Sequence, residues 1–171
     1  MSHEPIDARD LDRLVREHLP AAVRFATRLT GHTQAAEDIV QEALLRVSQK
    51  YHTFRGESSF RTWLFQIIVN VFRDQPRRQT ERSLEPGVSD AVPDTTASGL
   101  MAEELSRAIA HRVSQLPPRQ REVMVLTVYE ELSIAAAATL LETTEQNVHA
   151  LLHVARRRLR EELSELLLEK P

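Results

Sequence analysis

No cysteine occurs among the 171 residues. Disulfide frameworks, thiolate zinc sites and cysteine nucleophiles are therefore excluded, and the chain is compatible with a reducing compartment. Glycine is scarce, at 4 residues, and no stretch alternates strongly between polar and apolar residues, so a β architecture has little to build on. An excess of one charge sign is also missing. The 22 basic residues face 25 acidic ones, for a net charge of −3, which argues against a protein that coats nucleic acid nonspecifically. Any DNA contact has to come from local basic faces. No apolar run approaches the roughly 20 residues of a membrane span, and the polar, acidic start MSHEPIDARD predicts neither signal peptide nor anchor.

Catalytic constellations are absent as well: no Gly-rich phosphate loop, activated serine or paired carboxylates stand out. His149 and His153 lie one helical turn apart, a ligand spacing, but Ala150 stands where a zincin carries glutamate and no third ligand is evident. No enzyme activity, metal or cofactor is expected. What the chain does have is long stretches of Ala, Leu, Glu and Arg, all good helix formers. The fold class predicted is all-α.

One stretch organises the rest. Phe54–Arg78 opens with a short loop, FRGESS, runs into a helix and stops at Pro76. Ser58 or Ser59 can cap that helix. At 100° per residue Phe60, Trp63, Leu64, Ile67, Ile68 and Val71 share one face, the core side. Thr62, Gln66, Asn70 and Arg73 lie opposite, with Phe65 and Val69 expected exposed beside them. Amides and guanidinium groups read base edges and hold phosphates, and exposed apolar groups take unstacked bases. An amphipathic helix with a solvated polar face is the other reading.

Upstream, residues 7–30 read as a helix interrupted or bent near Pro20, with Gly31 as a left-handed cap. Thr33 is placed to cap the next helix, about 34–52, which buries Ala36, Ile39, Val40, Ala43, Leu44, Val47 and Tyr51. Its other face shows Asp38, Gln41, Glu42 and Gln49 around Leu45: either the anchor of a docking patch with a polar rim or one stray exposed leucine. Downstream, Gln79–Gly99 holds two prolines, two glycines, four acidic residues and one arginine, the composition of a flexible acidic linker. The chain thus divides into 1–78, a linker 79–99, and 100–171. In the last part, helices are predicted over about 100–115, over 118–130 (burying Val123, Leu126, Met124 and Val128) and over Ile134–Leu141 behind Ser133. After a three-residue turn, Thr144 caps a final helix to about Leu168. A short helix, a turn and a longer helix form a helix-turn-helix pattern. The final helix buries Val148, Leu152, Ala155, Leu159 and Leu163, and turns Gln146, His149, His153, Arg156, Arg157 and Arg160 outward. A self-sufficient DNA-binding regulator and a helical interaction module remain alternatives on these residues.

LTGHTQAAEDIVQEALLRV (Leu29–Val47), FRGESSFRTWL (Phe54–Leu64), LPPRQREVMVL (Leu116–Leu126) and LSIAAAATLLETTEQNVHALLHVARRRLREEL (Leu132–Leu163), in this order, resemble the extracytoplasmic-function (group IV) sigma factors of bacterial RNA polymerase. The likeness runs from about Leu11 to Leu163. It implies a cytoplasmic initiation subunit made of sigma region 2 (1–78) and sigma region 4 (100–171), with core RNA polymerase, promoter DNA and an anti-sigma factor as partners. Asp38, Gln41, Glu42, Leu45 and Arg46 would dock on the coiled coil of the largest polymerase subunit, and the last domain on the flap. Phe54, Arg55, Ser58, Arg61, Trp63, Gln66, Asn70, Arg73, Arg77 and Arg78 would bind the minus-ten element. Gln146, Asn147, His149, Ala150, His153, Arg156 and Arg157 would bind the minus-thirty-five element. The chain departs from the family pattern at Leu64, the second place of a Trp pair, at Glu142, where a turn glycine is expected, and at His149 and Leu151, where cations are.

Overall fold

The computed structural model describes residues 7–74 and 100–168, all helices and turns within that range. Helix α1 (Ala8–Thr30) is capped by the Asp7 carboxylate, which accepts from the backbone N–H groups of Arg9 and Asp10. It continues through Pro20 without interruption. Pro20 lies on the exposed side, as does Arg16, whose carbonyl loses the intrahelical donor, so water can satisfy that group in place of a backbone N–H. Gly31 ends the helix at φ +76°, its N–H donating to the Thr27 carbonyl, as the left-handed cap requires.

Helix α2 (Thr33–Lys50) starts one residue early: His32 is the cap, without a side-chain bond, and Thr33 is already helical. Ala36, Ile39, Val40, Ala43 and Val47 are buried as expected, and Leu44 and Tyr51 half-buried. A 3-10 turn, Tyr51–Thr53, leads to the loop before helix α3 (Phe60–Asp74). Ser59 is the cap of α3: its hydroxyl accepts from the Thr62 N–H at 3.1 Å. The first three helices pack on one another around Phe25, Leu29, Ile39, Leu64 and Ile68, none more than 1% exposed.

Phe65 and Val69 are not on a wet face. Both are buried, and Phe65 stacks on Phe25 with ring centroids 4.2 Å apart. Face arithmetic on one helix failed here because α3 has covering elements on more than one side, and a helix apolar nearly all round is a buried helix.

The second part comprises α4 (Leu100–Ser114), α5 (Pro118–Met124), α6 (Ile134–Leu140) and α7 (Glu145–Leu168). Proline opens α5, where its missing N–H costs nothing. The helix expected to reach residue 130 widens into a π turn over Val125–Tyr129. Val123–Leu126 are buried, but Val128 is 46% exposed rather than core. Ser133 caps α6 through the Ala136 N–H, and Thr144 caps α7 through the Asn147 N–H, each at 3.1 Å. Val148, Leu152, Ala155 and Leu159 are buried, and Leu163 is half-buried.

The two parts touch. Helix α1 lies against α4, α5 and the π turn, and α3 against α6. The contact is close: a Cβ on Gly31 would meet the Ser114 Cβ at 2.6 Å. Arg121 of α5 donates to the Leu29 and Leu116 carbonyls, and its guanidinium carbon stands 5.9 Å from the centre of the Phe72 ring. Burial lowers the Arg121 pKa to about 10, so this cation keeps its charge at neutral pH while satisfying carbonyl groups from both parts.

Candidate functional site

The residues singled out from the sequence fall into three groups of side chains. The first lies on α2. Leu45 is 55% exposed, the largest value among the exposed large hydrophobic side chains of the described residues. Asp38 and Gln41 are exposed near it in sequence, and Glu42 is half-buried. Arg46 joins two helices: its Nε donates to Glu42 at 2.9 Å and its NH1 to Asp74 of α3 at 2.7 Å. Those bonds, Asp74 first and Glu42 second, raise the Arg46 pKa. The arginine therefore fixes α2 against the end of α3 while the leucine stays open.

The second group surrounds the start of α3. Phe54 is half-buried, with its ring 5.2 Å from Trp63 and 5.9 Å from Phe60. Phe60 is buried, and Trp63, half-exposed, packs 5.7 Å from it. The loop between carries Arg55 and Ser58 on the exposed side, and Gly56 takes a φ of +67° that favours glycine. The aromatic triad thus gives the loop a rigid floor. Asn70 is half-exposed further along α3.

Sequence reasoning missed what faces the rest of this helix. Arg73 makes a two-pronged pair with Glu122 of α5, at 3.0 and 2.7 Å. Glu130 takes Arg28 of α1 on one oxygen, at 3.0 Å, and Arg61 of α3 on the other. Gln66 donates to Glu142 at 3.1 Å. Glu122 and Glu130 are 0% and 7% exposed, so their charges are compensated almost entirely by these arginines and by Arg119, 3.5 Å from Glu122. A signal existed in the sequence. Glu122 shares a helical face with Val125 and Leu126, so a carboxylate sits in an apolar stripe, where a buried charge needs a partner. Arg77 and Arg78 lie outside the described residues, as does Gln79–Gly99.

The third group is the outward row of α7. Gln146, Asn147, His149, Ala150, His153, Arg156, Arg157 and Arg160 are all exposed. Asn147 also donates to the Thr143 hydroxyl at 2.9 Å, which ties the turn to the first turn of the helix. Leu151 is half-buried. Glu142, in the place of the expected turn glycine, adopts φ +54° despite its side chain, a conformation that costs an L-residue about 1–2 kcal/mol. Among the described residues no three His, Asp or Glu side chains are placed to hold a metal ion.

Comparison with known proteins finds two family matches along the chain. The family described as Sigma-70 region 2 matches residues 14–82, and Sigma-70, region 4 matches residues 106–159. The extracytoplasmic-function (ECF) RNA polymerase sigma factor SigL of Mycobacterium tuberculosis is 34% identical over 157 residues, covering 90% of this chain and 88% of the relative. SigW of Bacillus subtilis is 30% identical over 151 residues, 81% of each chain. Among solved structures, the sigma factor RpoE of Bartonella quintana, in complex with the anti-sigma factor NepR, superimposes with a TM-score of 0.74 at 26% identity, over 92% of this chain and 98% of that one. The chain belongs to the extracytoplasmic-function sigma factors of bacterial RNA polymerase, initiation factors rather than enzymes, whose work is promoter recognition and the start of transcription.

Proposed function

We propose that the three groups divide the work of initiation. Leu45, with Asp38, Gln41, Glu42 and Arg46 around it, docks on the coiled coil of the largest polymerase subunit. The loop Phe54–Ser59 and the helix behind it, through Arg55, Ser58, Arg61, Trp63, Gln66, Asn70 and Arg73, capture the minus-ten element, with Arg77 and Arg78 on the adjoining backbone. Gln146, Asn147, His149, Ala150, His153, Arg156 and Arg157 enter the major groove at the minus-thirty-five element, with the polymerase flap behind them. The domains run 1–78 and 100–171 on either side of a linker.

The mechanism is differential binding. Strand opening costs stacking energy, and each unstacked base held by an aromatic or amide surface returns about 1–3 kcal/mol. The floor of Phe54, Phe60 and Trp63 suits that role: the triad holds the loop in place at no ordering cost when a base arrives. A protein partner that restrains the factor until a signal arrives fits too, since RpoE was solved with its anti-sigma factor. The site of action is the cytoplasm, where polymerase works, and no helix of the described residues is long and apolar enough to cross a membrane.

The observation that carries this reading is on α7, where every residue of the proposed groove-reading row is exposed while the stripe behind it is buried. Run-off transcription with purified core polymerase on genomic fragments tests it. New start sites should appear only with the factor present, and a transcript pattern identical with and without it would refute the reading.

A further inference from the structure

Three anionic side chains of the second part meet side chains of the promoter helix across the contact between the two parts. We infer that the free chain latches itself shut: Glu122, Glu130 and Glu142 occupy Arg73, Arg61 and Gln66 of α3, so that the second domain is a ligand which single-stranded DNA must displace. This rests on the reading of α3 as the minus-ten helix. It adds a competitor for that helix within the same chain.

The geometry is that of phosphate recognition. A planar guanidinium holds a carboxylate through two parallel N–H···O bonds, as it would hold two phosphate oxygens. Arg73 does this with Glu122, at 3.0 and 2.7 Å. Glu130 divides its two oxygens between Arg28 and Arg61. Glu142 is the third contact, a carboxylate on a residue held at φ +54°.

The contact is built on both sides. Arg121 reaches the other way, to the Leu29 carbonyl near the end of α1, and Gly31 leaves only enough room for Ser114. The latched state also excludes the reading state. Elements centred at minus ten and minus thirty-five lie on the order of 80 Å apart at 3.4 Å per base pair, and ion pairs near 3 Å do not survive that separation. The 25 residues between Asp74 and Leu100 can reach this far, at most about 3.5 Å each. Opening therefore precedes promoter reading. In the latched state the α7 row stays exposed, so strand capture is withheld while the major-groove surface is not.

The absence of native cysteine makes the test simple. Fluorophores are attached to the full chain through Glu17→Cys and Glu161→Cys, two exposed positions away from the carboxylates. Energy transfer then reports the separation of the parts, and a fluorescent single-stranded DNA pool of about 12 nucleotides reports capture without polymerase. In the parent, transfer should be high and capture weak. Glu122→Gln with Glu130→Gln should lower transfer and tighten capture about tenfold, as expected when a competent state is freed.

Gly31→Asn supplies a second lever that touches no proposed DNA contact. Asparagine tolerates the left-handed cap, but its Cβ would strike Ser114. Adding Ser114→Gly should restore both high transfer and weak capture. Circular dichroism confirms that each variant is folded. Low transfer in the parent, or no loss of transfer in either opened variant, overturns the latch and leaves the promoter reading standing. Loss of transfer without tighter capture overturns the competition and the assignment of α3 together.

Discussion

Leu45 offers a measurement in which structure sets the size of the effect. Its side chain is 55% exposed, and the residues around it are polar. Fully burying a leucine contributes about 1.5–3 kcal/mol, so covering the exposed remainder contributes roughly half, near 1–1.5 kcal/mol. Leu45→Ala should therefore weaken core polymerase binding about 5- to 10-fold, since 1.4 kcal/mol is tenfold. The chain's own stability should hardly change, because the exposed side chain is not part of the core. Leu45→Arg should cost more than roughly 1 kcal/mol, adding a desolvated charge at the centre of the patch. Competition of unlabelled variants against a labelled parent for purified core gives the affinity, and a melting curve gives the control. An alanine variant that competes as well as the parent would refute the docking assignment. One that fails only because its melting temperature has dropped would show that the leucine supports the fold instead.

Asn70→Ala or Phe54→Ala should abolish open-complex formation while core binding persists; undiminished permanganate reactivity on a cognate promoter would exclude the minus-ten role. Ser59→Ala removes the hydroxyl that accepts from the Thr62 N–H and should lower stability by about 1 kcal/mol, which chemical denaturation can detect. Phe65→Ala removes a buried ring stacked on Phe25 and should cost about 3–5 kcal/mol; a change under 1 kcal/mol would mean that Phe65 is exposed after all. Glu142→Gly relieves a positive φ and should raise stability by about 1 kcal/mol, read as a higher melting temperature, at the expense of the bond from Gln66.

Much of this was legible in the sequence because each short-range signal agreed with its neighbours. Gly31, Ser133 and Thr144 are caps in the structure as read, since capping depends on a few adjacent residues. The buried stripe of α7 follows from the helical period alone. The differences have separate physical causes. A single-helix projection has only an inside and an outside, so it puts Phe65 and Val69 on the wrong side of α3, which is covered from several directions. An interruption of α1 at Pro20 does not follow, because a helix tolerates proline where the orphaned carbonyl faces water. Most of all, Glu122 and Glu130 passed unnoticed as functional residues, although a carboxylate inside the run REVMVL asks for a counter-charge. The counter-charges from the first part are 49 and 69 to 102 residues away in the chain, a distance that no local pattern spans.

The make-up of that contact explains how a chain can be shut firmly and still be opened. Here each carboxylate is buried while its arginine stays partly exposed, and such a pair gains little net free energy because desolvation of the carboxylate offsets most of the attraction. Removing the arginines alone is another matter, because it strands a buried carboxylate. Closure through Glu122 and Glu130 is therefore exacting in register yet shallow in depth. When the halves part together, every carboxylate and guanidinium returns to water, and no group is stranded. A purely apolar contact would be deeper, and its exposed face would invite aggregation once open. If the closed form outweighs the open one a hundredfold, the gap is about 2.7 kcal/mol. A docking surface such as the one around Leu45 can supply a gap of that size only when polymerase binds the open form better than the closed one. On the proposed reading, polymerase would then do more than hold the two halves at the right spacing: a preference for the open chain would free Arg61 and Arg73 for DNA.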